Sequence, residues 1–172
     1  KTSNHLVEEL RKERKISLAR NLMMQRDLIQ VIHEFNKNNI EFILFKGSAF
    51  LFDPCFAIEE RFSKDLDILV KTDDLQNAYN CLKKLNFSYK NKLVADSANR
   101  LHEMHQLPTL VNAERTYLEL HVRLTQKMYF KQCPLTESFF KKKKEIYVNN
   151  LRIYVPEINL HIAYLIYHAT KH

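Results

Sequence analysis

The stretch Asp65-Leu66-Asp67-Ile68-Leu69-Val70 decides how the chain is read. Its apolar run, Leu66, Ile68, Leu69 and Val70, predicts a strand. Alternation along that strand puts Asp65 and Asp67 on one face and Leu66 and Ile68 on the other. Like charges a strand repeat apart repel, and a fold accepts them most easily where a divalent cation sits between them. Oxygen-only ligands suit magnesium, which keeps part of its water and binds substrate phosphates.

Working upstream, Ile40 to Phe45 is a short apolar run that predicts a buried strand, and Lys46-Gly47-Ser48 turns the chain into what reads as the start of a helix, Ala49 to Phe52. The chain has one glycine, Gly47, so this is the one place where backbone can approach a ligand without a Cβ in the way. A strand, a turn with lysine and serine, and a helix start together favour a phosphate. Arg61, four residues before Asp65, adds a guanidinium able to clamp the same polyphosphate.

Working downstream, Tyr117 to Leu124 repeats the alternation, with Tyr117, Glu119, His121 and Arg123 on one face and Leu118, Leu120, Val122 and Leu124 on the other. If this strand neighbours the first, Glu119 joins Asp65 and Asp67 in a three-carboxylate site of the kind that two-metal phosphoryl transfer uses. His121 and Arg123 share that face, where such residues are as often supporting as catalytic.

The remaining pattern is helical at both ends. From Ser3 to about Lys37, apolar residues recur at helical spacing (Leu6, Leu10, Leu18, Leu22, Ile29, Ile32, Phe35) with no proline or glycine, which predicts one long helix or two joined ones. A helix over about Asp73 to Asn86 is capped by Thr72 or Asp73, and Phe87 to Tyr89 and roughly His105 to Val111 read as strands. Thr136 to Lys144 reads as a basic helix, with Lys141 to Lys144 a solvated face and Phe139 and Phe140 in the core. Glu145 to Val148 and Leu151 to Val155 flank Asn149-Asn150 as a hairpin, and a helix from Glu157 runs to the end without a stop signal, as expected of a fragment. His161 and His168 fall seven apart on that helix, but no cysteine or carboxylate near them completes a metal set.

A chain of 172 residues, 45% hydrophobic, is long enough for one good core with a helical annex. It holds no long uncharged apolar stretch and no signal-peptide pattern at its start, so no membrane partner is expected. Three scattered cysteines, Cys55, Cys81 and Cys133, argue against a disulfide framework and fit a reducing cytoplasm. The net charge of +7 favours polyphosphate or nucleic-acid partners without choosing between them.

Taken in order, Phe45-Lys46-Gly47-Ser48, Arg61, Asp65-Leu66-Asp67-Ile68-Leu69-Val70 and Leu118-Glu119-Leu120-His121-Val122-Arg123-Leu124 resemble the nucleotidyltransferase superfamily that includes DNA polymerase β, and within it a largely uncharacterised bacterial family. The resemblance covers roughly Ile40 to Leu124, and the closing helix more loosely. It implies a mixed sheet flanked by helices, ATP or another NTP as donor, and Asp65, Asp67 and Glu119 as metal ligands. Two features depart from the superfamily. The stretch 49–64 is longer than most members have, which fits the resembled family, and the third acid is glutamate where aspartate is common.

The expected fold is thus α/β (α+β), of the polymerase β-like nucleotidyltransferase type. It has an N-terminal helical segment over 1–39, a catalytic core over 40–124, and a C-terminal hairpin and helix over 125–172. The expected activity is magnesium-dependent transfer of a nucleoside monophosphate from an NTP to an acceptor hydroxyl, releasing pyrophosphate. Asp65, Asp67 and Glu119 hold two Mg2+ ions, and Lys46, Gly47, Ser48 and Arg61 steady the triphosphate. The rival is a catalytically silent nucleic-acid- or protein-binding module with the same fold. Acceptor (small molecule, protein or RNA), base preference and oligomeric state are not legible in the sequence.

Overall fold

The helical spacing that opens the chain becomes a single helix, α1 (Thr2–Lys37). The computed structural model describes residues 2–55, 57–60, 63–91, 105–125, 134–148 and 150–170. Only the second half of α1 has an inward face: Asn21, Met24, Leu28, Val31, Ile32 and Phe35 are buried at three- and four-residue spacing. Leu6, Leu10 and Leu22, which the sequence placed on the same stripe, are 48–61% exposed. Asn39 ends the helix in the left-handed region at φ 55°, where asparagine is tolerated better than most residues.

Next come strand β1 (Phe42–Leu44), a 3-10 turn at Ser48–Phe50, a second at Ile58–Glu60, and β2 (Leu66–Val70). A third 3-10 turn at Thr72–Asp74 leads into α2 (Leu75–Lys84), shorter than the spacing suggested and without a side-chain cap. β3 (Ser88–Tyr89), β4 (Leu110–Val111) and β5 (Tyr117–His121) follow. The expected strand from His105 is cut to two residues by Pro108, which has no N–H to give a neighbour. The chain before it still leans on β5 through a Gln106–His121 bridge and a Leu107 N–H to Leu120 bond of 2.8 Å. Last are α3 (Pro134–Lys141), the hairpin strands β6 (Lys144–Val148) and β7 (Leu151–Val155), and α4 (Ile158–Ala169). Asn150 takes φ 63°, as a tight hairpin turn requires; Asn149 lies outside the described residues.

The five strands β1 to β5 form one mixed sheet in the order β1-β2-β5-β4-β3, and β6-β7 pair separately. β2 and β5 run parallel; the other pairs are antiparallel. One face of the sheet carries Phe42, Leu44, Leu66, Ile68, Val70, Leu118 and Leu120 into a core with α1 and α2. On the other face, Ile43, Phe45 and Leu69 meet Phe139 of α3 and Tyr164 of α4. That second layer covers β1 and the end of β2, and the polar positions of β2 and β5 lie beside it. α4 starts on Glu157, whose carboxylate accepts from the N–H groups of Asn159 and Leu160, both at 3.2 Å. Of the lysine run, Lys143 pairs with Glu41 at 2.5 Å, while Lys141, Lys142 and Lys144 are exposed.

Candidate active site

The register of β2 on β5 sets Asp67 directly beside Glu119, and Leu69 beside His121. Because alternation sends Leu66, Ile68, Leu118 and Leu120 into the α1 core, Asp67, Glu119 and His121 project together on the opposite side, where Leu69 also lies. Their ligand atoms all lie within 4.8 Å of one another. Asp67 and His121 are each 2% exposed, and Glu119 is half-buried.

The turn after β1 is bonded to the backbone of Asp67. Phe45 N–H donates to the Asp67 carbonyl at 3.3 Å, and Asp67 N–H donates to Ser48 Oγ at 2.7 Å. The turn itself closes through Ser48 N–H to the Phe45 carbonyl at 3.1 Å. Its unusual conformation falls on Lys46, at φ 48°, and not on the glycine. Gly47 sits in the ordinary right-handed region at φ −56°, ψ −39°, and the expected helix from Ala49 is a single 3-10 turn over Ser48–Phe50. Ser48 is fully buried, so its hydroxyl serves to hold the turn on β2.

Lys46 is fixed at both ends. Its N–H donates to Nε2 of His161 at 2.9 Å, and that ring stacks on Phe50 with centroids 5.1 Å apart. As the acceptor, Nε2 carries no proton, which puts the ring hydrogen on Nδ1. The Lys46 ammonium reaches Asp67 Oδ1 at 2.9 Å and Glu119 Oε2 at 3.9 Å. His121 Nε2 stands 3.0 Å from the same Asp67 oxygen and 3.5 Å from Glu119 Oε2. Thr109 Oγ1 donates to Glu119 Oε1 at 3.5 Å.

These contacts divide the acids electrostatically. The His121 hydrogen bond, aided by the Lys46 charge, holds the Glu119 carboxyl down at about 2 against its burial. Asp65 lies just before β2 and outside the group of Asp67, Glu119 and His121. Burial, and then repulsion from Asp67 and Glu119, push its carboxyl up to about 6. A cation beside Asp65 would oppose both effects and favour its charged form. Two carboxylates and an imidazole at this spacing have the donor chemistry to hold a divalent ion, and the imidazole widens the choice beyond an oxygen-only set.

Of the residues singled out in the sequence, the structure brings together Lys46, Gly47, Ser48, Asp67 and Glu119, with Asp65 at their margin. Arg61 lies outside the described residues. His121, which the sequence reads equally as supporting or catalytic, stands among the acids. His161, set aside for want of ligands nearby, anchors Lys46 from α4. Nothing local marked that role, since its partner is a backbone N–H at a sequence separation of 115. Arg123 is half-buried on the strand's continuation.

A five-stranded mixed sheet flanked by helices, with a C-terminal hairpin and helix, is consistent with a nucleotidyltransferase fold. The chain belongs to the family described as uncharacterised nucleotidyltransferase, whose model matches residues 1–172, the whole chain. No curated protein matches it. Among the described residues, no helix is long and apolar enough to cross a membrane.

Proposed function

We propose that the chain transfers a nucleoside monophosphate from ATP, or another NTP, to an acceptor hydroxyl, releasing pyrophosphate. The observation that carries this reading is the register of Asp67 on Glu119, with the Lys46-Gly47-Ser48 turn bonded to the same aspartate. Acid pair and turn are thus joined by hydrogen bonds at Asp67, which suits positioning chemistry on a polyphosphate.

In this reading Asp65, Asp67 and Glu119 hold Mg2+, with His121 completing or supporting the set. Bound there, the cations supply charge neutralisation for the phosphates and the acceptor oxygen. The chain's own residues do the rest. Gly47 lets the phosphates approach the backbone, and Ser48 keeps the turn seated on β2. Lys46, together with Arg61 as assigned from the sequence, steadies the leaving pyrophosphate. Glu119, the third acid of the set, assists activation of the acceptor hydroxyl.

Label transfer tests this directly. Incubation with α-labelled ATP and MgCl2, against small-molecule, protein and RNA acceptors in turn, is expected to give labelled acceptor and free pyrophosphate. Glu119→Gln is expected to abolish both. Metal-independent nucleic-acid binding without pyrophosphate release would favour a silent binding module.

A further inference from the structure

We propose that Lys46 is a built-in cation of the acidic site: its ammonium holds the place of a divalent ion between Asp67 and Glu119 and leaves it when metal binds, passing to the triphosphate. The inference rests on the metal-dependent reading above and adds to it an order of events.

The geometry of the contact comes first. The ammonium lies 2.9 Å from Asp67 Oδ1 and 3.9 Å from Glu119 Oε2, within a set whose other donor, His121 Nε2, is 3.0 Å from the same Asp67 oxygen. An ion held by Asp67 and Glu119 would need the space the ammonium now takes and the Asp67 oxygen it bonds. Lysine is suited to yield, because its charge sits on a flexible four-carbon stem and can move without the backbone.

The backbone gives a second, independent argument. Position 46 is left-handed, a conformation disfavoured for any residue with a Cβ. The chain's one glycine is next door, at a position that does not need it for φ. A turn selected for backbone ease alone would have glycine at 46. Lysine there, with its N–H tied to His161 at 2.9 Å, aims the side chain into the acids at a conformational cost. Metal entry then frees an amine beside the turn where phosphates would lie, so metal and nucleotide each favour the other's binding.

The test is amine labelling of Lys46 in the wild-type chain, read by mass spectrometry, with MnCl2 and ATP as probes. Labelling is expected to be slow without metal, several-fold faster with MnCl2, and slow again with MnCl2 plus ATP. A rate that MnCl2 leaves unchanged, in protein that calorimetry shows to have bound Mn2+, overturns this inference and leaves the metal-dependent reading standing. Protein that binds no Mn2+ overturns both. As a companion, Lys46→Met is expected to bind Mn2+ about tenfold more tightly than wild type in the absence of nucleotide. Equal or weaker binding by a folded Lys46→Met protein also counts against the displaced ammonium.

Discussion

Asp67 and Glu119 stand side by side on the parallel strands β2 and β5, joined through Lys46, whose ammonium lies 2.9 Å from one and 3.9 Å from the other. The two acids are therefore a compensated pair. At Asp65, burial and the repulsion of Asp67 and Glu119 outweigh the pull of Lys46.

The aspartates should accordingly respond in opposite directions to loss of charge. In metal-free protein Asp65→Asn is expected to leave the melting midpoint unchanged or raised. Asp67→Asn leaves the Lys46 ammonium without its buried counter-charge and His121 Nε2 without its carboxylate partner, and is expected to cost about 1–3 kcal/mol. Thermal melts in EDTA measure both. An Asp67→Asn midpoint equal to wild type would show that the pair carries no structural weight.

The same asymmetry gives a pH dependence. Asp65 is raised from 3.8 to about 6, so the folded state binds its proton more tightly than the unfolded state. Its contribution is favourable at low pH and is lost as pH rises through about 6. Glu119 is lowered from 4.5 to about 2, and its contribution holds above 4.5 and fades only as pH falls toward 2. Melts across the pH range are expected to show Asp65→Asn gaining most over wild type above the Asp65 transition, with the gap closing below it. A gap that does not change with pH would remove Asp65 from the acid cluster.

Gly47 lies in the right-handed region, where alanine is at ease, so Gly47→Ala is expected to fold and even gain about 0.4–1 kcal/mol. If phosphate lies against that backbone, the new methyl should weaken ATP binding by calorimetry. Unaltered affinity would reduce the turn to ordinary strand connection.

His161→Phe keeps a ring to stack on Phe50 but removes the acceptor for Lys46 N–H. Hydrogen exchange at the Lys46 amide is expected to accelerate, with stability reduced by about 1–3 kcal/mol. An amide still protected in the variant would mean that the left-handed turn is held by something other than α4.

How much of this could be read in the sequence follows from the range of the forces involved. Alternation over Leu66–Val70 and Tyr117–His121 is local, and it sets Asp67 and Glu119 on the face opposite Leu66, Ile68, Leu118 and Leu120. The long N-terminal helix and the hairpin were equally local. The inward stripe of α1 was not, because Leu6 and Leu10 have helical spacing but no sheet beneath them. The strand from His105 was overestimated where Pro108 forbids pairing. Within the site, glycine drew attention to position 47, while the strained residue is Lys46, whose conformation depends on a histidine from the far end of the chain. Contacts of that separation leave no trace in spacing.

The central claim is that Asp67 anchors a metal-dependent nucleotide site, and calorimetry of ATP binding with and without MgCl2 tests it most directly. Wild-type protein is expected to bind ATP with MgCl2 present and to lose most of that affinity in EDTA, and Asp67→Asn to bind weakly in both. ATP binding that ignores both the metal and Asp67, or no binding at all, would contradict it.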